Sequence, residues 1–250
     1  MCYPDEARPP DHGLRAKVAS ATDLVLTASD GNQFAAHVAR PESPSSSGIV
    51  ILPDVRGLHN FYRGLAVRFA EAGHAAIAID YFGRTAGVGP RGDDFDYQPH
   101  RAQTAPATID ADVAAAIAHL RSQGNGNLKN ILSVGFCFGG GNSWRQSATQ
   151  PGLSGAIGFY GVPAGVRPYI AQMKAPLLLL IAGADMATPQ EDFERFDREL
   201  TEAGVSHHMV VYPGAPHSFF DRGYEKWQDA CRDCWRQVLD FVRENSAAGA

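Results

Sequence analysis

The sequence predicts an α/β fold: a single domain with a mostly parallel central sheet, an antiparallel hairpin at the N-terminal edge, and helices on both faces. Three observations lead there. Near-continuous apolar runs recur at Ile49–Leu52, Ala75–Ile79, Ile131–Val134, Ala156–Tyr160 and Leu177–Ala182, and such runs mark strands buried on both faces of a sheet. Segments of helical periodicity separate them. The 250 residues, 44% hydrophobic and 20% charged, suit one large α/β unit and exclude a disordered or low-complexity chain.

Taken in order, residues 1–20 form a polar, proline-rich extension without the apolar core of a signal peptide. Asp23–Ser29 and Phe34–Arg40 alternate like half-exposed strands, and Asp30-Gly31-Asn32 between them is a hairpin turn. The Ser- and Pro-rich stretch Pro41–Gly48 reads as a surface loop. Helices are expected over Phe61–Ala72, Ile109–Gln123, the residues after Cys137, Pro189–Ala203 and Tyr224–Glu244, with a further strand at His208–Tyr212. The Pro189 helix carries a start signal: Thr188 as cap, Pro189 in the first turn and Glu191 closing a capping box. The domain spans 21–245 and a short tail, 246–250, follows.

Charge narrows the function classes. With 22 Lys+Arg against 27 Asp+Glu the net charge is −5, and no basic stripe is available for a nucleic-acid backbone. The longest aliphatic run, Leu177–Ala182, falls far short of the roughly 20 apolar residues that cross a bilayer. A soluble cytoplasmic protein, monomer or homodimer, acting on a small molecule is the expectation. Four cysteines are too few for a disulfide scaffold. Cys231 and Cys234 form C-x-x-C inside a helical pattern without a second pair, so they read as packing thiols rather than metal ligands. His207 and His208 are neighbours on a strand and point to opposite faces.

The chemistry-bearing segment is Gly135-Phe136-Cys137-Phe138-Gly139-Gly140-Gly141, which follows a strand and precedes a helix. It lacks the glycine spacing and the Lys-Ser/Thr ending of phosphate-binding loops. With serine in place of Cys137, the same frame is the nucleophile elbow of α/β-hydrolases. There the apex residue takes a strained backbone conformation that lifts its side chain out of the sheet, and flanking glycines let strand and helix pass close by. The helix N-terminus behind it favours a thiolate and an oxyanion. Taken alone, Cys137 could also be a buried structural thiol. Asp185, after the strand Leu177–Ala182, and His217, after His208–Tyr212, follow in the hydrolase order of nucleophile, acid, histidine. That conjunction selects the triad Cys137, Asp185, His217. Phe138 N–H and Val55 N–H, the latter in the loop Pro53–Gly57, are the expected oxyanion donors.

Cys137 in G-x-C-x-G-G, Asp54-Val55-Arg56-Gly57, Asp80-Tyr81-Phe82-Gly83-Arg84, Gly158-Phe159-Tyr160-Gly161 and Pro216-His217-Ser218-Phe219 together resemble the dienelactone hydrolases, or carboxymethylenebutenolidases. The resemblance spans roughly Asp23 to Val242. It implies a compact α/β-hydrolase fold without a large lid, and hydrolysis of an ester or lactone through a Cys-His-Asp triad with no metal or organic cofactor. Two departures stand out. Where this chain has Asp54, the family's best-studied branch has a glutamate that holds the cysteine at rest; Arg56 could pair with the shorter carboxylate. That branch also binds a substrate carboxylate with two arginines. Arg84 occupies the first position, but Asp221 occupies the second, with Arg222 one residue on. A carboxylate there would repel an anionic substrate, so a broader carboxylesterase specificity is credible.

The expected reaction is therefore acyl transfer to water through a thioester. Asp54, Arg56, Phe61, Tyr62, Arg84 and Tyr160 are the expected substrate-binding or gating residues. The alternative is a non-hydrolytic binding or redox-sensor protein on the same fold, with Cys137 as its reactive thiol.

Overall fold

The computed structural model describes residues 9, 13, 16–92, 94–124, 128–221 and 224–247. Most of the expected N-terminal extension with Cys2, Arg222 and the end of the tail lie outside the described residues. The chain forms two compact units, Met1–Ile131 and Leu132–Ala250.

In the first unit, β1 (Val18–Thr27) and β2 (Gln33–Pro41) form the expected antiparallel hairpin. Its turn is closed by the Asn32 N–H on the Asp30 carboxylate at 3.2 Å and by Gly31 at φ 85°. The apolar strands β3 (Ser47–Leu52) and β4 (Ala75–Ile79) are parallel to one another, and β4 also pairs antiparallel with β2. Between them α1 (Asn60–Glu71) starts where His59 Nδ1 accepts the Phe61 N–H at 3.1 Å, and buries Phe61, Tyr62, Leu65, Ala66, Phe69 and Ala70. That spacing is one helix face. Two single turns, α2 (Gly83–Ala86) and α3 (Gln98–Arg101), have no counterpart in the sequence reading.

The next helix, α4 (Pro106–Gln123), starts three residues before the expected Ile109. Its first turn is exposed, so apolar periodicity is silent there. Pro106 at the first helical position and the Thr108 hydroxyl accepting the Ala105 N–H at 3.3 Å mark the true start.

In the second unit, β5 (Asn130–Phe136), β6 (Gly155–Phe159), β7 (Leu177–Ala182) and β8 (His207–Tyr212) run parallel in that order. The first three are buried along their whole length, as their unbroken apolar runs require. Three helices complete the unit: α5 (Phe138–Thr149), α6 (Gln190–Glu202) and α7 (Gln228–Ala247).

Two expectations need correction here. Thr188 does not cap α6: the cap position is Pro189, in extended backbone at ψ 146°, and the Thr188 hydroxyl is buried with no hydrogen-bond partner among the described residues. A residue before proline is pushed out of helical geometry, and Pro189 itself stays extended, so the helix begins one residue late. Glu191 and Asp192 in the first turn still complement the helix dipole. Helix α7 begins at Gln228 rather than Tyr224, preceded by a 3₁₀ turn over Tyr224–Lys226.

Candidate active site

Strand β5 delivers Cys137 at φ 55°, ψ −114°, outside the conformations an L-residue ordinarily adopts. Such a conformation costs on the order of 1–3 kcal/mol and persists only where its surroundings impose it. Here they do. The Cys137 N–H is held by the Phe159 carbonyl at 3.0 Å, while its own carbonyl accepts from Gly140 at 2.9 Å and starts α5. Glycine is obligatory around this apex for reasons of space. A Cβ on Gly135 would collide with the Gly139 backbone, and one on Gly161 with the backbone of Gly140. The side chain of Cys137 is half-exposed, whereas Cys231 and Cys234 are buried.

Asp185 and His217 lie in the turns after β7 and β8. These turns are tied together by backbone bonds from Gly183 to Tyr212 and from Ala184 to Ala215, both 2.9 Å. His217 Nδ1 meets Asp185 Oδ2 at 2.7 Å. The other Asp185 oxygen accepts the Ala187 N–H at 2.7 Å, so the fully buried carboxylate is held at both ends. The His217 ring keeps 22% of its side-chain surface exposed. Burial works against its charge, but hydrogen bonds to Asp185 and Cys137 outweigh burial and push its pKa up to about 10. The imidazole therefore carries its proton at neutral pH, and Nε2 is the nitrogen left to serve Cys137. The structure thus brings together all three expected members of the triad.

Tyr160, also at positive φ (39°), is fully buried and lays its ring 5.0 Å from that of His217. It packs the histidine in place instead of facing solvent as a cleft residue would. Sequence reasoning missed two neighbours of the site. Ser218 follows the histidine at φ 63°, and Met186 beside Asp185 is completely exposed. A positive φ at a serine leaves no mark in the sequence, and an exposed methionine leaves none either.

The remaining expected site residues belong to the first unit. In the Pro53–Gly57 loop the Asp54 N–H donates to the Tyr62 hydroxyl at 3.0 Å, and the Arg56 N–H to Asp54 Oδ1 at 2.9 Å. Val55 lies between them in the turn. The Arg56 guanidinium reaches Asp54 only at 3.9 Å, and both side chains are 1% exposed. Asp54 Oδ2 has no hydrogen-bond partner among the described residues. Gly57 packs against the Asp80 carboxylate so closely that any Cβ would collide with it; Asp80 in turn pairs with Arg91 at 2.8 Å.

Phe61 and Tyr62 are fully buried on α1, edge to face at 5.3 Å, so as core residues they have no surface to line a cleft. Arg84 is taken up by its own unit. It pairs with Asp30 in the hairpin turn and with Asp112 on α4 at 2.9 Å, and donates to the Thr108 carbonyl at 3.2 Å. Those contacts tie hairpin to helix and do not favour the expected contact with a substrate carboxylate. Among the described residues no group of His, Cys, Asp and Glu could hold a metal, and no helix is long and apolar enough to cross a membrane.

The model of the dienelactone hydrolase family matches residues 34–246, which include the loop of Val55, the Cys137 elbow, Asp185 and His217. The chain belongs to the dienelactone hydrolase family. It is accordingly a carboxylic ester hydrolase of the dienelactone hydrolase-like kind. A relative from Saccharolobus solfataricus, named "Putative carboxymethylenebutenolidase", is 30% identical over 87% of this chain and 96% of its own. A solved dienelactone hydrolase-like promiscuous phosphotriesterase from metagenomic libraries superposes with a TM-score of 0.74 at 21% identity, over 90% of this chain and 99% of its own. A bacterial brefeldin A esterase does so with a TM-score of 0.73 at 14% identity, over 98% and 81%. At those identities the likeness carries the fold alone: this member of the dienelactone hydrolase family has the α/β-hydrolase fold.

Proposed function

We propose that this dienelactone hydrolase family member cleaves a short-chain carboxylic ester or a lactone through a thioester on Cys137. The observation that carries the proposal is the unbroken sequence of contacts from Asp185 through His217 to Cys137 at a strained elbow. Cys137 is the nucleophile, and His217, held by Asp185, stands beside it to carry the proton that the reaction moves.

The thiolate adds to the ester carbonyl. The oxyanion falls to the Phe138 N–H at the start of α5. As the tetrahedral species collapses, the proton on His217 Nε2 goes to the departing alkoxide, and alcohol leaves. The neutral imidazole then takes a proton from water as hydroxide adds to the thioester. Collapse expels the Cys137 sulfur, releases the acid and returns the enzyme to its starting state.

The test is the hydrolysis of short-chain aryl esters and simple lactones by wild type and Cys137→Ala, with mass analysis of enzyme quenched during turnover. An acyl mass on wild type and a loss of at least about 10³-fold in the variant are expected. Equal rates for the two proteins would sink the reading.

A further inference from the structure

The C-x-x-C motif is a sequence feature that the proposed reaction leaves without a role, and its surroundings supply one. Helix α7 continues the hydrogen-bonded turn begun by Cys231 N–H to the Trp227 carbonyl at 2.8 Å, so residues 227, 231 and 234 fall on one face. Each meets the segment that carries His217. The Trp227 ring lies 3.6 Å from where a Cβ on Gly214 would stand, beside a turn that holds glycine at φ 74°. Cys231 Sγ donates to the Phe219 carbonyl at 3.6 Å, two residues past the histidine. Cys234 faces the Tyr212 hydroxyl, which donates to Asp233 Oδ2 at 2.9 Å, five residues before the histidine. The Tyr212 and Phe219 rings close on each other at 5.2 Å, and Phe219 packs edge-on against Tyr160 at 5.8 Å. Tyr160 is the ring that backs His217.

We propose that Cys231, Asp233 and Cys234 are positioning residues: with Trp227 they clamp the 212–219 segment at both ends and so set the angle at which the imidazole meets Asp185 and Cys137. Without the clamp, the segment between Tyr212 and Phe219 keeps its backbone bonds at Gly183 and Ala184 but loses the anchors beyond the histidine. A misplacement of about 1 Å at a reacting group is enough to cost rate. The groups that face His217 are Asp185, Cys137 and the Tyr160 ring; those that face the clamp thiols are Asp221 at Cys231, and Asp233 and Tyr212 at Cys234. The clamp rests on the proposed triad for its effect on rate, but not for its effect on the ring.

The experiment therefore reads both. Cys231→Val removes the donor at similar volume, Cys231→Ser keeps a donor, and Tyr212→Phe removes one oxygen while leaving the ring. For each, the His217 ring titration is followed by NMR in the resting enzyme, and kcat and KM are measured on an aryl ester. Losing one hydrogen bond of about 1 kcal/mol corresponds to about fivefold. Cys231→Val and Tyr212→Phe should each lower kcat by about three- to tenfold with KM within twofold, and move the His217 titration down toward that of an ordinary histidine. Cys231→Ser should restore most of both. Unchanged titration and unchanged kcat in Tyr212→Phe would overturn the proposal, as would equal losses in Cys231→Ser and Cys231→Val. Full esterase activity in Cys137→Ala would defeat the triad instead, and would leave the ring titration to decide on the clamp.

Discussion

Asp112 in the first unit and Asp185 in the second are both buried carboxylates facing a cation, and the two pairs behave in opposite ways. Asp112 meets Arg84, a fork of donors that also takes Asp30 and the Thr108 carbonyl. Every contact of that guanidinium joins one piece of the unit to another: hairpin turn, α2 and α4. Asp185 meets His217, which spends one ring nitrogen on the carboxylate and leaves the other beside Cys137. An arginine cannot give up its proton, whereas a histidine can. In the proposed reaction a buried carboxylate thus builds structure in one unit and chemistry in the other, according to whether its partner keeps a titratable end.

The largest expected effect is on the catalytic side. Asp185→Asn should lower kcat by about 10²–10⁴-fold, since the ring loses both its orientation and the stabilisation of its charge. Asp112→Asn should stay within about threefold of wild type, because a neutral amide still fits beside Arg84 and Asn32. Comparable losses in the two variants, measured on one aryl ester, would erase the distinction between the pairs.

Next in size is Arg84→Ala. Removing one partner of a buried pair commonly costs about 3–5 kcal/mol, but Asp112 can relieve itself by taking up a proton, so about 2 kcal/mol is expected from denaturant unfolding. Anionic and neutral esters should lose activity equally in this variant. A selective loss on anionic esters would return Arg84 to the substrate site.

In the pH dependence of stability the pairs separate by window. Burial, opposed by hydrogen bonds from Asn32 and the charge of Arg84, raises the pKa of Asp112 from 3.8 to about 6. The folded state then holds that proton more tightly than the unfolded one, and the contribution is present below 3.8 and lost as pH rises through about 6. His217, raised from 6.5 to about 10, contributes stability that is full below 6.5 and lost as pH climbs through about 10. Unfolding free energies measured from pH 4 to 10.5 should flatten at the acid end in Asp112→Asn and at the alkaline end in Asp185→Asn. Esterase activity should fall on the same alkaline limb, because in the proposed reaction the leaving alkoxide needs the proton on His217.

Much of this was legible in the chain. The glycines at 135, 140 and 141 announce a strand and helix crossing at close quarters, and the packing bears that out atom by atom at Gly135 and Gly140. The order Cys137, Asp185, His217, each after an apolar strand, was sufficient to assemble the three residues. What misled the reading was contact with residues remote in sequence. Arg84 looked available because Asp30 lies 54 positions before it and Asp112 lies 28 after it. Phe61 and Tyr62 looked like cleft residues because they follow a loop after a strand, but the α1 face turns them inward. Thr188 had every local mark of a cap and lost the position to the backbone of Pro189.

The sequence by itself determined the alternation of strands and helices and the strained apex at Cys137, because those depend on local sterics and on the period of apolar residues. Only the tertiary structure decided which charged side chains keep an open end. It placed Arg84 between two carboxylates, turned Tyr160 against the histidine, and brought Cys231 and Cys234 beneath the segment bearing His217. Those outcomes depend on which distant groups meet when the units fold, and neither spacing nor composition encodes that meeting at any single position.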